Sequence, residues 1–436
     1  MHVKRLEARI AEAGYPDGFH IENISLTLEP GEILLVTGRS GSGKTTLLRS
    51  LNGLIKLRKG YVKGSVKVDG EEILDKPLEY STKKLFYIPQ EPWYGIVGYT
   101  VLTEYCHTLS IYGVKCSPWK LGDYGLSGLE DKTTYGLSAG QYQRILWAEA
   151  LQVDTSAILM DEPYTYIDVE GRRIFRKYVE KYISRGGSLV IVDHIPSNWS
   201  EYEPKLLVLD KGKPIYYGRY RWDVEVEVKI SKRRHSGSNE EVLVARNIWF
   251  KYPGTRFILK GADLILKRGE IIGVTGVNGS GKTTLLKILA GIYKPLKGHV
   301  MRRGSTIYIP ENPLLYFTYP TPREEIYGSA SNDKVVEEII GKLGLGDLLD
   351  KPLAFLSTGE RRRVALISAL LAGYDILLFD EPTGGLDSYS VEVILDTIDH
   401  VVGRGATVVV AHHDPRLNGF FDREYVLENG VLKCRS

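Results

Sequence analysis

Two glycine-rich stretches constrain this chain more than anything else in it. Gly38 to Thr46 reads Gly-Arg-Ser-Gly-Ser-Gly-Lys-Thr-Thr, and Gly276 to Thr284 reads Gly-Val-Asn-Gly-Ser-Gly-Lys-Thr-Thr. Both fit the pattern G-x-x-x-x-G-K-[ST]. Each follows an apolar β-branched run, Ile33 to Thr37 and Ile271 to Thr275, and opens an apolar stretch, Leu47 to Leu51 and Leu285 to Leu289. The pattern therefore predicts a buried strand, a tight loop and a helix, in that order. Glycines let backbone N–H groups close on phosphate oxygens, and a helix N-terminus adds a field that favours an anion. The candidate phosphate-binding residues are Gly38, Ser40, Gly41, Ser42, Gly43, Lys44, Thr45 and Thr46, then Gly276, Asn278, Gly279, Ser280, Gly281, Lys282, Thr283 and Thr284. Lys44 and Lys282 have the reach for β- and γ-phosphates, and Thr45 and Thr283 the hydroxyl for Mg²⁺.

The two loops lie 238 residues apart in a chain of 436, and other short matches keep similar spacing. Leu6-Glu7-Ala8-Arg9 recurs as Leu243-Val244-Ala245-Arg246, and Pro30-Gly31-Glu32 as Arg268-Gly269-Glu270. This is duplication of a whole domain and not a short-period solenoid. The expected division is a first domain over 1–228, a linker over 229–241 and a second domain over 242–436. A net charge of +3 provides no concentrated basic face for nucleic acid. The basic run Lys229 to Arg234 falls in the join and reads as solvated linker. Cys106, Cys116 and Cys434 have no metal-ligand spacing, and their odd, sparse count suits a reducing cytoplasm. No apolar run nears the roughly 18 residues of a membrane span, and no signal peptide opens the chain. Four glutamines against 28 tyrosines point to a thermophilic source.

Four further apolar runs end in polar residues. Ala157 to Met160 leads into Asp161-Glu162, and Ile376 to Phe379 into Asp380-Glu381. Ser188 to Val192 leads into Asp193-His194, and Thr407 to Ala411 into His412-His413. Buried strands alternating with helices predict a largely parallel α/β sheet, with ligands at the strand C-terminal ends. Strand alternation would turn Asp161 toward Mg²⁺ and Glu162 toward a water aligned on the γ-phosphate. A general base is what hydrolysis needs there; the rest is positioning and charge neutralisation. Asp380 and Glu381 occupy the same positions in the second half, and the matched His194 and His413 are candidates to touch the γ-phosphate or the attacking water.

In this order the motifs resemble those of the ATP-binding-cassette (ABC) ATPases, in two copies covering nearly the whole chain. The set comprises the phosphate loops, a Gln-type loop at Gln90 with Glu311 as its counterpart, signatures Leu137-Ser138-Ala139-Gly140-Gln141 and Leu356-Ser357-Thr358-Gly359-Glu360, the carboxylate pairs, D-loops and switch histidines. The resemblance implies two tandem P-loop NTPase domains. Each would have a mainly parallel sheet core, an antiparallel β part and a helical subdomain. It implies that ATP and Mg²⁺ are bound and ATP hydrolysed. Tyr15 and Tyr252 would stack on adenine, and Asp168 and Asp387 would sit in the D-loops. Thr45, Gln90 and Asp161 would face one metal ion, and Thr283, Glu311 and Asp380 the other. The signatures would act across the domain pair, so Ser357, Gly359 and Glu360 complete the first site and Ser138, Gly140 and Gln141 the second.

Within that superfamily, the Tyr-Pro turn, Leu51-Asn52-Gly53-Leu54 and Thr100-Val101-Leu102-Thr103-Glu104 look similar to the ATPases of energy-coupling-factor importers. That likeness implies uptake of vitamins or transition-metal ions, with integral membrane scaffold and substrate-capture subunits as partners. The chain would then lie peripherally on the cytoplasmic face of the membrane. Trp93, Tyr94, Tyr99, Tyr316, Phe317 and Tyr319 are the candidate docking aromatics. The alternative is a soluble twin-cassette ATPase acting on ribosomes or other macromolecules, a class that usually shows an iron–sulfur cysteine cluster or a long charged linker. The chain departs from the pattern at Glu311, at the first D-loop Tyr164-Thr165-Tyr166-Ile167-Asp168, and at Ala139 and Thr358 in the signatures. These departures predict two unequal sites.

Overall fold

The computed structural model describes residues 4–16, 18–221, 238–328 and 333–435. The chain divides into two compact units, Met1–Val226 and Glu227–Ser436. Most of the expected linker, 229–237, and the basic run within it lie outside the described residues.

The strands of the first unit are β1 (Leu6–Gly14), β2 (His20–Leu28), β3 (Ile33–Thr37), β4 (Tyr61–Val68), β5 (Glu71–Glu72), β6 (Leu85–Ile88), β7 (Ala157–Asp161), β8 (Ser188–Val192), β9 (Lys205–Asp210) and β10 (Lys213–Arg219). Its helices are α1 (Lys44–Leu51), α2 (Leu78–Lys84), α3 (Val101–Ile111), α4 (Ala139–Ala150) and α5 (Val169–Ile183). One sheet runs β10-β9-β3-β8-β7-β6, parallel except for the β9–β10 hairpin. The other is an antiparallel sheet, β2-β1-β4-β5. The apolar runs are strands because β3, β7 and β8 are buried along their whole length, which only a sheet covered on both faces allows. At roughly 1.5–3 kcal/mol per buried aliphatic side chain, these three strands dominate the local stability.

The second unit repeats the plan. Its strands are β11 (Glu241–Phe250), β12 (Leu259–Lys267), β13 (Ile271–Thr275), β14 (Lys297–Arg302), β15 (Thr306–Ile309), β16 (Ile376–Asp380), β17 (Thr407–Ala411), β18 (Arg423–Glu428) and β19 (Val431–Arg435). Its helices are α6 (Lys282–Leu289), α7 (Pro322–Tyr327), α8 (Asp333–Lys342), α9 (Thr358–Leu371) and α10 (Ser388–Val402). The main sheet, β15-β16-β17-β13-β18-β19, has the same order as its counterpart, and β12-β11-β14 forms the antiparallel sheet.

Helix α4 starts within the signature, at Ala139, because Ser138 and Gln141 form a capping box. One expectation changes. The cysteines are not all reduced: Cys106 on α3 and Cys116 beyond it form a disulfide. The turn after α3 brings their Cα atoms to 5.0 Å, within the range a bridge needs, and an odd total says nothing about one such pair.

The bridge spans a sequence separation of 10, and closing a loop of that size removes roughly 3 kcal/mol of unfolded-chain entropy. Cys106→Ser, or reductant, is expected to lower the unfolding midpoint of the first unit by about 5–10 °C. Calorimetry with and without reductant checks this, and turnover at room temperature should persist.

Candidate functional site

The site of the first unit is assembled at the C-terminal ends of β3, β7 and β8. After β3 the chain turns through Gly38, with φ 145°, where an added Cβ would lie 2.1 Å from the Leu209 carbonyl oxygen. No side chain there could be tolerated, so the glycine is a packing requirement. α1 opens on Gly43 with no side-chain cap, and α6 opens on Gly281 in the same way. Their first-turn N–H groups are therefore left for a ligand. Ser42 Oγ and Ser280 Oγ are buried with no protein partner among the described residues. Two orphaned hydroxyls at matched positions of two phosphate loops fit a group rich in acceptor oxygens.

Lys44 Nζ donates to the carbonyls of Gly38 and Arg39 at 2.8 and 2.9 Å. Lys282 Nζ donates to the Gly276 carbonyl at 2.8 Å and stands 4.0 Å from Glu381. Thr45 Oγ1 donates to Asp161 Oδ2 at 2.8 Å, and Tyr87 donates to the same oxygen at 3.3 Å. Asp161 Oδ1 is buried without a partner among the described residues. That oxygen beside the Thr45 hydroxyl is the donor set Mg²⁺ prefers. Thr283 and Tyr308 bond Asp380 in the second unit, Tyr308 at 3.0 Å. Burial, then Glu162, raises the Asp161 carboxyl to about 6, with Thr45 opposing. Asp380 is likewise raised by burial to about 6, Thr283 opposing.

Glu162 and Glu381 do not follow the strand alternation expected of them. β7 and β16 stop at the aspartates, and the next residue takes φ 51° and 50° respectively. Each glutamate N–H still closes on the neighbouring strand, at Val192 and Ala411, both at 2.9 Å. A left-handed conformation at a non-glycine residue costs on the order of 1–3 kcal/mol and persists where the surroundings impose it, as functional sites often do. The turn carries Glu162 to His194 Nε2 at 3.2 Å and Glu381 to His413 Nδ1 at 2.9 Å. Burial opposes ionisation, yet His194, Lys44 and Gln90 hold Glu162 below the usual carboxylate range. His413 and Lys282 do the same for Glu381 against its burial. Both glutamates are thus ionised at neutral pH, as a general base must be.

Gln90 hydrogen-bonds Glu162, whereas Glu311 brings a third carboxyl to Asp380 and Glu381. Burial and those two neighbours raise Glu311 to about 7, with Arg362 and His413 opposing. Tyr15 bonds Arg49, whose guanidinium also reaches Tyr87 and Asp161. Tyr252 bonds Thr284 Oγ1 at 3.1 Å and lies edge-on to Phe250 and Tyr293. The signature residues act as helix caps: Ser138 with Gln141 on α4, Ser357 with Glu360 on α9. Gly140 and Gly359 fall in those first turns. Asp168 and Asp387 cap α5 and α10, accepting from Gly171 and Ser390 at 2.8 and 2.7 Å. Of the docking aromatics, Tyr94, Tyr99 and Tyr319 are 65%, 68% and 45% exposed. Trp93 lies 5.8 Å from Tyr166, while Tyr316 and Phe317 pack on the core of the second unit, Tyr316 bonding Ser368 at 3.0 Å. Tyr316 and Phe317 are thus part-buried, with less free surface than Tyr319. Arg49, Tyr87, Tyr308 and Arg362 carried no signal of a site role in the sequence, save that a tyrosine stands two residues into each strand before the Gln-type loop.

Together the two units make a twin-cassette nucleoside triphosphatase, each half with a phosphate loop, a metal-facing aspartate and a histidine-braced glutamate. Residues 21–165 and 259–384 match the ABC transporter family. A relative from Sulfurisphaera tokodaii, provisionally named as an ABC transporter ATP-binding protein, is 30% identical over 98% of this chain and 96% of its own length. One from Saccharolobus solfataricus with the same kind of name is 29% identical over 93% of this chain and 88% of its own. The chain belongs to the ABC transporter family; it binds ATP with Mg²⁺ and hydrolyses it. Two solved structures share the two-cassette fold over 98% of this chain at 21% identity. They are the archaeal ribosome recycling factor aABCE1 with stalk protein aP1 (TM-score 0.69, 89% of that chain) and RNase-L inhibitor (TM-score 0.68, 91% of that chain).

The raised Asp161 generates a prediction. Its folded-state value of about 6 exceeds the ordinary 3.8, so the metal-free native state holds a proton that the unfolded chain has lost. Stability from this group is therefore present at low pH and lost as pH rises from about 4 to 6. Asp161→Asn is expected to stabilise the metal-free protein at pH 7–8 by on the order of 2 kcal/mol, and to lower Mg²⁺-dependent turnover of that site at least about a hundredfold. Urea unfolding at pH 4 and pH 8, with phosphate release, checks both.

Proposed function

We propose that this chain is the ATP-driven motor of a larger assembly, with two composite sites that differ in chemistry. The observation that carries the reading is the histidine-braced, ionised glutamate beside a phosphate loop, present in both units. In each site the loop lysine and uncapped helix N-terminus neutralise phosphate charge, and Glu162 or Glu381 takes a proton from the attacking water. His194 or His413 orients that carboxylate. Mg²⁺, held by Thr45 and Asp161 or by Thr283 and Asp380, would screen the charge between phosphates. The tandem layout supports pairing of the units so that Ser357 serves the site of Glu162 and Ser138 that of Glu381.

The partner has two readings. Transport is supported by the names of relatives near 30% identity that span almost the whole chain. The importer subclass has no specific support among the comparisons. Among the described residues no helix is long and apolar enough to cross a membrane, so a transporter would supply its membrane part from another chain. A ribosomal partner has the wider structural support: a ribosome recycling factor, RNase-L inhibitor and a ribosome-bound complex all share the two-cassette fold. Exposed Tyr94 and Tyr99 beside the Gln-type loop suit either docking surface. Fractionating cells that express the tagged chain decides between them. Recovery with membranes, lost in Tyr94→Ala/Tyr99→Ala, supports transport; recovery with ribosomes alone overturns it.

Site asymmetry follows from Glu311. A full like charge at contact range costs on the order of 4 kcal/mol at an effective dielectric of 20, and the Glu311 carboxyl, raised to about 7, lowers that cost in part by holding a proton. Mg²⁺ can offset that cost because it takes carboxylate ligands. Glu162→Gln and Glu381→Gln are therefore expected to lower steady-state ATPase by factors that differ about fivefold or more, and Glu311→Gln to narrow the gap. Equal losses that ignore Glu311→Gln would mean equivalent sites.

A further inference from the structure

One buried side chain of the second unit touches two loops at once. Arg362, on α9 and 4% exposed, donates from Nη2 to the Glu311 carbonyl at 2.9 Å. From Nη1 it donates to the carbonyl of Gly384, in the D-loop between β16 and α10. A second guanidinium completes the hold: Arg416 donates to the Leu386 and Thr383 carbonyls at 2.8 and 3.3 Å, and is itself braced on Asp414 at 2.7 Å. Three D-loop carbonyls thus face arginines. The aligned residue of the first unit is Gln143, equally buried, whose Nε2 has no partner among the described residues. There the D-loop has a different set of contacts: Arg144 donates to Asp168 at 3.2 Å, Thr165 donates to Glu162 at 3.2 Å, and rings pack on its tyrosines. Tyr164 stacks on Trp199 at 4.5 Å, and Tyr166 meets Trp93 of the Gln-type loop at 5.8 Å.

The difference is mechanical. A guanidinium is a rigid planar fork, and charge-assisted bonds to two carbonyls fix distance and direction together. Displacing the backbone at Glu311 must then move Gly384 or break a bond to a buried cation, which is costly. We propose that Arg362 is a positioning residue that transmits movement of the Glu311 loop directly into the D-loop backbone of the second unit, whereas the first unit connects Gln90 to its D-loop through the side chains of Glu162 and Thr165. The inference rests on the reading that the Glu311 loop responds to Mg-ATP.

Hydrogen exchange tests it. Glu381→Gln is the background, to hold nucleotide, and residues 309–316 and 382–388 are followed with and without Mg-ATP. In that background both segments should gain protection together. Adding Arg362→Gln, whose side chain the first unit already accommodates at Gln143, should leave the response of 309–316 and speed exchange in 382–388 of the nucleotide-bound state by about tenfold. Arg362→Lys, with donors but no fork, should fall between. With Glu381 intact, Arg362→Gln should lower kcat about tenfold with ATP Kd changed less than about twofold. Three results would overturn the proposal. Joint protection of both segments in Arg362→Gln would show that the link lies elsewhere while the site reading stands. Parallel loss of kcat, Kd and unfolding temperature would reduce Arg362 to a structural role. No response of 309–316 to Mg-ATP with Arg362 intact would sink the site reading and the proposal together.

Discussion

The hydrogen bond from Thr45 to Asp161 joins the helix that opens on the phosphate loop to the strand that ends at the catalytic turn, and the site depends on it. β7 can bury a carboxylate at its end only because that oxygen is bonded; an unpaired charge there would be expelled or neutralised. The same need explains the next residue. With Asp161 fixed toward the loop, the chain must reverse within one residue to bring Glu162 to His194, and it does so through a left-handed φ. The second unit repeats the solution with Thr283, Asp380 and Glu381, so the strain is a property of the design and not an accident of one copy.

Much of this was legible beforehand for a physical reason. Buried strands in a parallel sheet are continuous apolar runs, so their ends are sharp, and Asp161, Glu162 and His194 stand at such ends. The phosphate loops were legible because few sequences satisfy so many backbone demands at once. What escaped the reading has no period. Alternation fails at Glu162 because the strand has already ended. The disulfide depends on a turn of the helical part that no pattern predicts. Tyr316 and Phe317 read like Tyr319 because sequence cannot tell an exposed ring from one partly packed on its own core. Arg362 escaped because its partners are backbone carbonyls, which every residue has.

The two units keep the plan and vary the contacts around it. His194 meets its glutamate through Nε2, His413 through Nδ1. In the first unit Arg49 connects Tyr15 to Asp161; at the matching place on α6, Lys287 instead lies over the ring of Tyr293. The matched strands differ too, as at Leu35 against Gly273, but they keep their burial.

The signatures carry that variation further. Ser138 accepts from the Gln141 N–H while Gln141 accepts from the Ser138 N–H, so among the described residues the serine hydroxyl hydrogen has no acceptor. Ser357 is different: its hydroxyl donates to the Glu360 carboxylate at 2.8 Å. A phosphate oxygen approaching Ser357 must compete with that carboxylate for the hydrogen and also meets its negative charge; one approaching Ser138 meets neither. In the composite pairing proposed above, Ser357 belongs to the site that keeps Gln90, and Ser138 to the site that carries Glu311. Each site would then contain one carboxylate where the ABC pattern has an amide, but at opposite ends of the nucleotide. Glu311 lies on the metal side, where Mg²⁺ can take up its charge. Glu360 lies at the helix cap, where the field of α9 partly screens it. On this argument the asymmetry is not one active site beside one damaged site. In that pairing the two sites would bind the same anion against resistance in different places.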